Sequence, residues 1–65
     1  MTRTFFDPEG FSYQAPERFR FATFRRAFTG EWELNWFHCT ADDAKQAWDE
    51  LQADGWPAAI RAASH

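Results

Sequence analysis

Residues 40–57, TADDAKQAWDELQADGWP, admit one local structure, and the rest of the chain has to pack around it. Thr40 is an N-cap residue whose hydroxyl can accept from a free backbone N–H of the first turn. Asp43, three residues on, makes an imperfect capping box, with Asp where Glu or Gln is usual. Asp42 and Asp43 fall in the first turn, where the helix dipole favours negative charge. At the far end Gly55 suits the C′ position, which requires positive φ, and Trp56 can fold back onto Leu51. Pro57 blocks simple continuation. These signals predict one helix between Thr40 and Gly55.

Its two faces differ. At about 100° per residue, Ala41, Ala44, Ala47, Trp48 and Leu51 share one side. Asp42, Asp43, Gln46, Asp49 and Glu50 share the other, with Asp54 near its edge. Lys45 lies at the border, within reach of Asp42 or Asp49 for a few tenths of a kcal/mol. Glu50 and Asp54 are a like-charged i,i+4 pair that opposes the helix slightly. Asp42 and Asp49 are separated by roughly 10 Å along the axis, as are Asp43 and Glu50. Such a face either keeps a small protein in solution or serves as an electrostatic docking surface.

A chain of 65 residues is expected to be a single domain, residues 1–65. A domain of this size buries only about 60% of its unfolded surface. Its apolar content is mostly aromatic, with eight Phe, four Trp and one Tyr. A few of these rings are therefore expected to stay partly exposed, as candidate partner contacts.

The net charge is −3, and its distribution is uneven. Residues 1–30 hold five Arg against Asp7, Glu9 and Glu17, whereas residues 40–54 hold five acids against Lys45 alone. An acidic second half disfavours nonspecific DNA binding through the helix and favours a basic partner there. Cys39 is the single cysteine. No intrachain disulfide can form, and a reducing cytoplasmic setting is expected. The opening MTRTFFDPEGF lacks the apolar core of a signal peptide. No apolar run approaches the length that spans a bilayer, so no membrane partner is expected.

Residues 18–39, RFRFATFRRAFTGEWELNWFHC, read as a β-hairpin turning at Thr29–Gly30. Placing Gly30 at the αL position of a three-residue loop sets Ala27 opposite Glu31. That register pairs Arg25 with Glu33 and Thr23 with Asn35 on one face, and Phe24 with Leu34 and Ala22 with Trp36 on the other. A rival reading makes Pro16 to Thr29 a helix, with Pro16 at N1 and Phe21, Phe24 and Phe28 at i, i+3 and i+7. Upstream, Asp7-Pro8-Glu9-Gly10 signals a type I turn between two short strands, Thr2–Phe6 and Phe11–Gln14. After Pro57, AAIRAAS is expected to form a short helical segment. The expected fold is α+β: a small antiparallel sheet of two to four strands packed against one amphipathic acidic helix, then that C-terminal helical segment.

No motif commits the chain to a reaction or a cofactor. His38 and Cys39 are adjacent, and in a strand they point to opposite faces, so they make no nucleophile–base pair. A structural Cys and a rim His are expected instead. One Cys and two His among scattered acids offer no zinc-ligand spacing. There is no Gly-rich phosphate loop. Carboxylates on an exposed convex helix face are poorly placed for pKa tuning, so acid–base catalysis is not supported. No enzyme, metal or cofactor is expected.

The segment Glu17 to Phe24, ERFRFATF, is similar to the RNP1 octapeptide of RNA-recognition motifs in Phe19, Phe21 and Phe24. It carries Arg18 and Arg20 where that motif has glycine, and the chain is too short for a βαββαβ fold. Arg alternating with Phe on a sheet could still stack bases and hold phosphates.

A very short acidic chain, rich in Trp, Ala and Arg, with a sheet, an acidic helix and no enzyme motif, resembles bacteriophage accessory proteins. Among these it is similar to anti-CRISPR proteins directed at type I surveillance complexes. The resemblance lies in size, charge and layout over the whole chain and includes no shared motif, so it assigns no residue. It implies a stoichiometric, non-enzymatic inhibitor in the cytoplasm of a bacterial host. Such an inhibitor binds a Cas subunit and blocks DNA recognition, with acidic residues standing in for DNA.

The charge pattern itself nominates Asp42, Asp43, Asp49, Glu50 and Asp54 as the residues that meet a basic protein surface, extended by Glu31 and Glu33. Trp32 or Trp56 is the expected aromatic anchor. The leading reading is a monomer that makes no direct nucleic-acid contact. Two alternatives stand beside it: a small nucleic-acid-binding or regulatory protein using Arg18 to Arg26, and a structural or assembly subunit that dimerises through exposed aromatics.

Overall fold

The chain order in the computed structural model, which describes residues 1–64, is β1 (Thr2–Phe6), β2 (Ser12–Pro16), β3 (Phe21–Arg26), β4 (Trp32–His38), α1 (Ala41–Ala53) and β5 (Ala58–Ala62). The architecture is α+β, with two small antiparallel sheets and one helix. Strands β1 and β2 form a two-stranded sheet, and β4-β3-β5 form a three-stranded one.

Both hairpins close with the same loop chemistry. The Asp7 N–H donates to Phe11 O (3.0 Å) and the Gly10 N–H to Asp7 O (3.0 Å). The Asp7 carboxylate also accepts from the N–H groups of Glu9 (2.9 Å) and Phe11 (3.0 Å), which explains why this acid is buried. In the second hairpin the Ala27 N–H donates to Glu31 O (2.8 Å) and the Gly30 N–H to Ala27 O (2.9 Å). Gly30 adopts φ +90°, the left-handed position its loop requires. The upstream hairpin is the one the turn signal indicates, although its second strand runs Ser12–Pro16 rather than Phe11–Gln14.

The β3–β4 pairing follows the expected register near the turn, with Arg25 opposite Glu33 and Phe24 opposite Leu34. It then shifts by one residue. Thr23 pairs with Trp36 and Ala22 with Phe37, so the expected Thr23–Asn35 and Ala22–Trp36 pairs do not form. Asn35 is the extra residue of a β-bulge, and its amide folds inward to donate to the Thr23 hydroxyl (3.0 Å). The slip decides which ring is buried: Phe37 joins the core, and Trp36 is left 67% exposed.

Strand β3 is the centre of the molecule, and its two faces meet different layers. Ala22 and Phe24 face the β1–β2 hairpin. Phe5, Ala15, Ala22 and Phe24 form the buried cluster, with Tyr13, Phe19, Trp32, Leu34 and Phe37 packed around it. The rings meet at tilted angles, with centroids 5.2 Å apart for Phe5–Phe37 and 5.4 Å for Tyr13–Phe24. Such pairs add roughly 0.5–1.5 kcal/mol each beyond area burial. Phe21 and Thr23 lie on the opposite face, under α1. That face holds a polar cluster: Thr23 is fully buried, and His38 Nε2 lies 2.9 Å from its hydroxyl.

The rival helical reading and one expectation are overturned. Residues 16–29 are not a helix. Strand β3 puts Phe21 and Phe24 on opposite faces, whereas a helix would align them and leave β4 without a partner. The segment after Pro57 is not helical either. Ala58–Ala62 pairs antiparallel with β3, and the Arg26 N–H donates to Pro57 O (2.9 Å) and the Ala63 N–H to Arg20 O (2.9 Å). Alanine favours helix, but the open edge of β3 offers a row of backbone partners, and that pairing outweighs the local preference. The two sheets are tied by the Ser64 N–H donating to Thr4 O (2.8 Å).

Candidate functional site

Helix α1 begins and ends as its sequence dictates. Thr40 has extended backbone (φ −125°, ψ 156°), and its hydroxyl accepts from the Asp43 N–H (3.2 Å). At the C-terminus the Trp56 N–H donates to Leu51 O (2.9 Å) and the Gly55 N–H to Gln52 O (3.0 Å), a Schellman pair around Gly55 at φ +90°. Ala44 and Leu51 are buried, and Ala47 and Trp48 are half-buried. Ala41, expected on the same face, is the first residue of the helix and is exposed, at the edge of a shallow cleft it shares with Phe21, Trp48 and Ile60. The Trp48 indole N–H donates to Ala58 O (3.1 Å), which pins the helix to β5.

Asp42, Asp43, Asp49, Glu50 and Asp54 are all exposed. They differ in what the fold does for them. Asp42 and Asp43 lie in the first turn, where they stabilise the helix. Asp49 pairs with Lys45 (3.2 Å). Glu50 and Asp54 have no ion-pair partner among the described residues, and the last turn carries no basic side chain. Both lie at the end where the dipole is already negative, four residues apart. Arg26 borders the same small cleft as Asp54, but its Nε donates to Gly30 O (3.2 Å) instead.

The two proposed extensions are not equivalent. Glu33 is engaged with Arg25 (3.6 Å), whose guanidinium lies 4.6 Å over the Trp56 ring. Trp56 in turn packs on Phe28, with centroids 5.1 Å apart. Glu31 has no ion-pair partner among the described residues and lines a separate cleft with Glu9, Phe11, Tyr13 and Trp32. The structure therefore leaves the five helix carboxylates exposed on α1, ties Glu33 to an internal cation, and sets Glu31 beside Glu9.

The exposed aromatics are not the ones expected. Trp32 and Trp56 are half-buried. Phe28 is 98% exposed at the β3–β4 turn, with Trp36 at 67% and Phe11 at 65%. Trp36 could be found only by anticipating the bulge, because strict alternation places it inside. Phe28 carried a signal, since a residue inside a three-residue loop has no strand face to bury.

The Arg/Phe segment offers little stacking surface. Phe24 is fully buried, and Phe19 and Phe21 are half-buried. Arg18 lies 4.6 Å over the Phe19 ring, and Arg25 is held by Glu33. Cys39 is exposed rather than packed, so a structural role does not fit it. His38 is half-buried, and burial pushes its pKa below the ordinary 6.5, with the Asp43 carboxylate opposing that shift. Burial and then the nearby Asp7 carboxylate raise the Tyr13 phenol above its ordinary 10.0. Among the described residues no group of three or more His, Cys, Asp or Glu is gathered to hold a metal ion. No helix among them is long and apolar enough to cross a membrane. Comparison with protein-family models, curated proteins and solved structures found no match.

Proposed function

We propose that this protein is a non-enzymatic binding module whose helix α1 docks onto a basic protein surface. The surface we assign to it is a DNA-contacting one on a Cas subunit of a type I surveillance complex, which makes the protein an anti-CRISPR inhibitor of bacteriophage origin. The observation that carries the docking reading is the Glu50–Asp54 end of α1. Two exposed carboxylates stand where the helix dipole and each other oppose them, with no ion-pair partner among the described residues. Their cost to the isolated fold is relieved by cations from outside.

A protein surface that binds DNA must present Lys and Arg to phosphates. Carboxylates held on a rigid helix satisfy the same cations, and long-range attraction speeds the encounter. Ion pairs at the rim contribute on-rate and salt dependence more than affinity. Phe28, exposed and tilted against Trp56 beside Asp54, supplies the apolar contact next to the acidic end. The Cas assignment comes from the resemblance in size, charge and layout.

The test is a gel-shift competition. A purified type I complex is bound to its DNA target and titrated with the wild-type protein and with the Asp49→Lys, Glu50→Lys variant. Wild type is expected to release DNA near stoichiometry, and the variant to need at least about tenfold more protein, since each tenfold step corresponds to about 1.4 kcal/mol. A folded variant that competes equally well removes the helix from the site. A wild-type protein that leaves DNA bound on such complexes removes the anti-CRISPR assignment. Retardation of free single-stranded RNA or DNA by the protein alone, weakened by Arg20→Ala, favours the nucleic-acid-binding alternative.

A further inference from the structure

A second surface lies away from α1. The β1–β2 turn and the start of β4 enclose a cleft of about 330 Å³ lined by Glu9, Phe11, Tyr13, Glu31 and Trp32. Tyr13 and Trp32 pack against the Phe24 side of the central sheet, opposite the side that α1 covers. Both turns are rigidly closed, by the Asp7 carboxylate on one hairpin and by the Ala27–Glu31 hydrogen bond on the other.

Three aromatic side chains and two carboxylates share its lining. Phe11 is 65% exposed, although it follows a tight turn where a polar residue would cost nothing. Neither Glu9 nor Glu31 has an ion-pair partner among the described residues. The Asp7 carboxylate acts on the Tyr13 phenol, but it is buried and already accepts from the Glu9 and Phe11 N–H groups, which leaves Glu9 and Glu31 as the exposed carboxylates of the cleft. Arg26, the cross-strand neighbour of Trp32, is directed to the Gly30 carbonyl and forms no ion pair with Glu31.

We propose that this cleft accepts the guanidinium of an arginine side chain from a partner protein. A guanidinium is planar, stacks on aromatic faces and bonds carboxylates with its edge, so aromatic walls with two free carboxylates at the rim match it on both counts. An ammonium group shares the charge but not the planar stacking. The site is independent of the helix surface: a partner could use either or both.

The test is an amide NMR titration of the full chain with a short acetylated Gly-Arg-Gly amide. A single side chain should bind with a dissociation constant on the order of millimolar. The expected result is saturable shifts at Glu9, Phe11, Glu31 and Trp32, weaker shifts with the lysine peptide, and none with the neutral citrulline peptide. Glu9→Gln with Glu31→Gln, and separately Phe11→Ala, should each weaken binding at least about fivefold, while Asp49→Lys, Glu50→Lys leaves it unchanged. Equal shifts with citrulline, shifts confined to α1, or an unaltered constant in the Glu9→Gln, Glu31→Gln protein would each overturn the proposal. Because the readout is mapped by residue, failure here leaves the helix reading standing, and the converse holds.

Discussion

Replacing Glu50 by Lys should stabilise the isolated protein. Glu50 is exposed in the last turn of α1, four residues before Asp54, and neither has an ion-pair partner among the described residues. The substitution exchanges an i,i+4 repulsion for an attraction, each about 0.2–0.5 kcal/mol. It also replaces an anion by a cation at the negative end of the dipole, where each change is about 0.3–1 kcal/mol at low salt. Solvent exposure and the entropy of two mobile side chains reduce the total, leaving about 1 kcal/mol. For a domain of this size that raises Tm by about 4–8 °C. The assay is thermal unfolding followed by circular dichroism at low salt and again in 1 M NaCl. In 1 M salt the screening length falls to about 3 Å, and the gain should largely vanish. No rise in Tm at low salt, or a rise undiminished in 1 M NaCl, refutes the claim that this end of the helix is electrostatically unsatisfied.

Three further outcomes follow from the same geometry. Thr23→Val should cost about 1–3 kcal/mol in urea unfolding, because the hydroxyl that serves both Asn35 and His38 is lost beneath the helix, while Thr23→Ser should cost much less. Gly55→Ala should lower stability by about 1–2 kcal/mol from left-handed backbone strain alone, since a methyl group there meets nothing within 4 Å. His38 has a folded pKa below its ordinary 6.5, so the native state binds its proton less readily than the unfolded chain. Its contribution is complete above about pH 6.5 and is lost as pH falls through the folded value. Urea midpoints between pH 7.5 and 5 should therefore decline in the wild type and decline less in His38→Gln, and equal slopes would exclude this histidine as the source.

The elements with local signals were legible in the sequence, and those that depend on long-range pairing were not. The Thr40 cap, the Gly55 stop, the two glycine-closed hairpin loops and the Arg25–Glu33 pair each involve residues close in the chain or one turn apart. Strand β5 could not be read this way. Ala58–Ala62 carries one β-branched residue, Ile60, and becomes a strand because β3 has an open edge. The bulge at Asn35 was equally hidden, since alternation in WELNWFH is satisfied by Trp32, Leu34 and Trp36 until Phe37 competes for the core. For the candidate surface, the exposure of the five helix carboxylates followed from helical periodicity. The engagement of Glu33 with Arg25 followed from the hairpin register, but the placement of Glu31 beside Glu9 required the relative placement of two hairpins, which no local pattern encodes.

The most direct test of the docking claim is the salt dependence of DNA displacement from a type I complex by wild-type protein and by Glu50→Lys. Glu50→Lys, though more stable, should displace DNA at least about fivefold less well at low salt, and the gap should narrow as salt rises. Equal displacement by the two proteins across the salt range would contradict the docking claim.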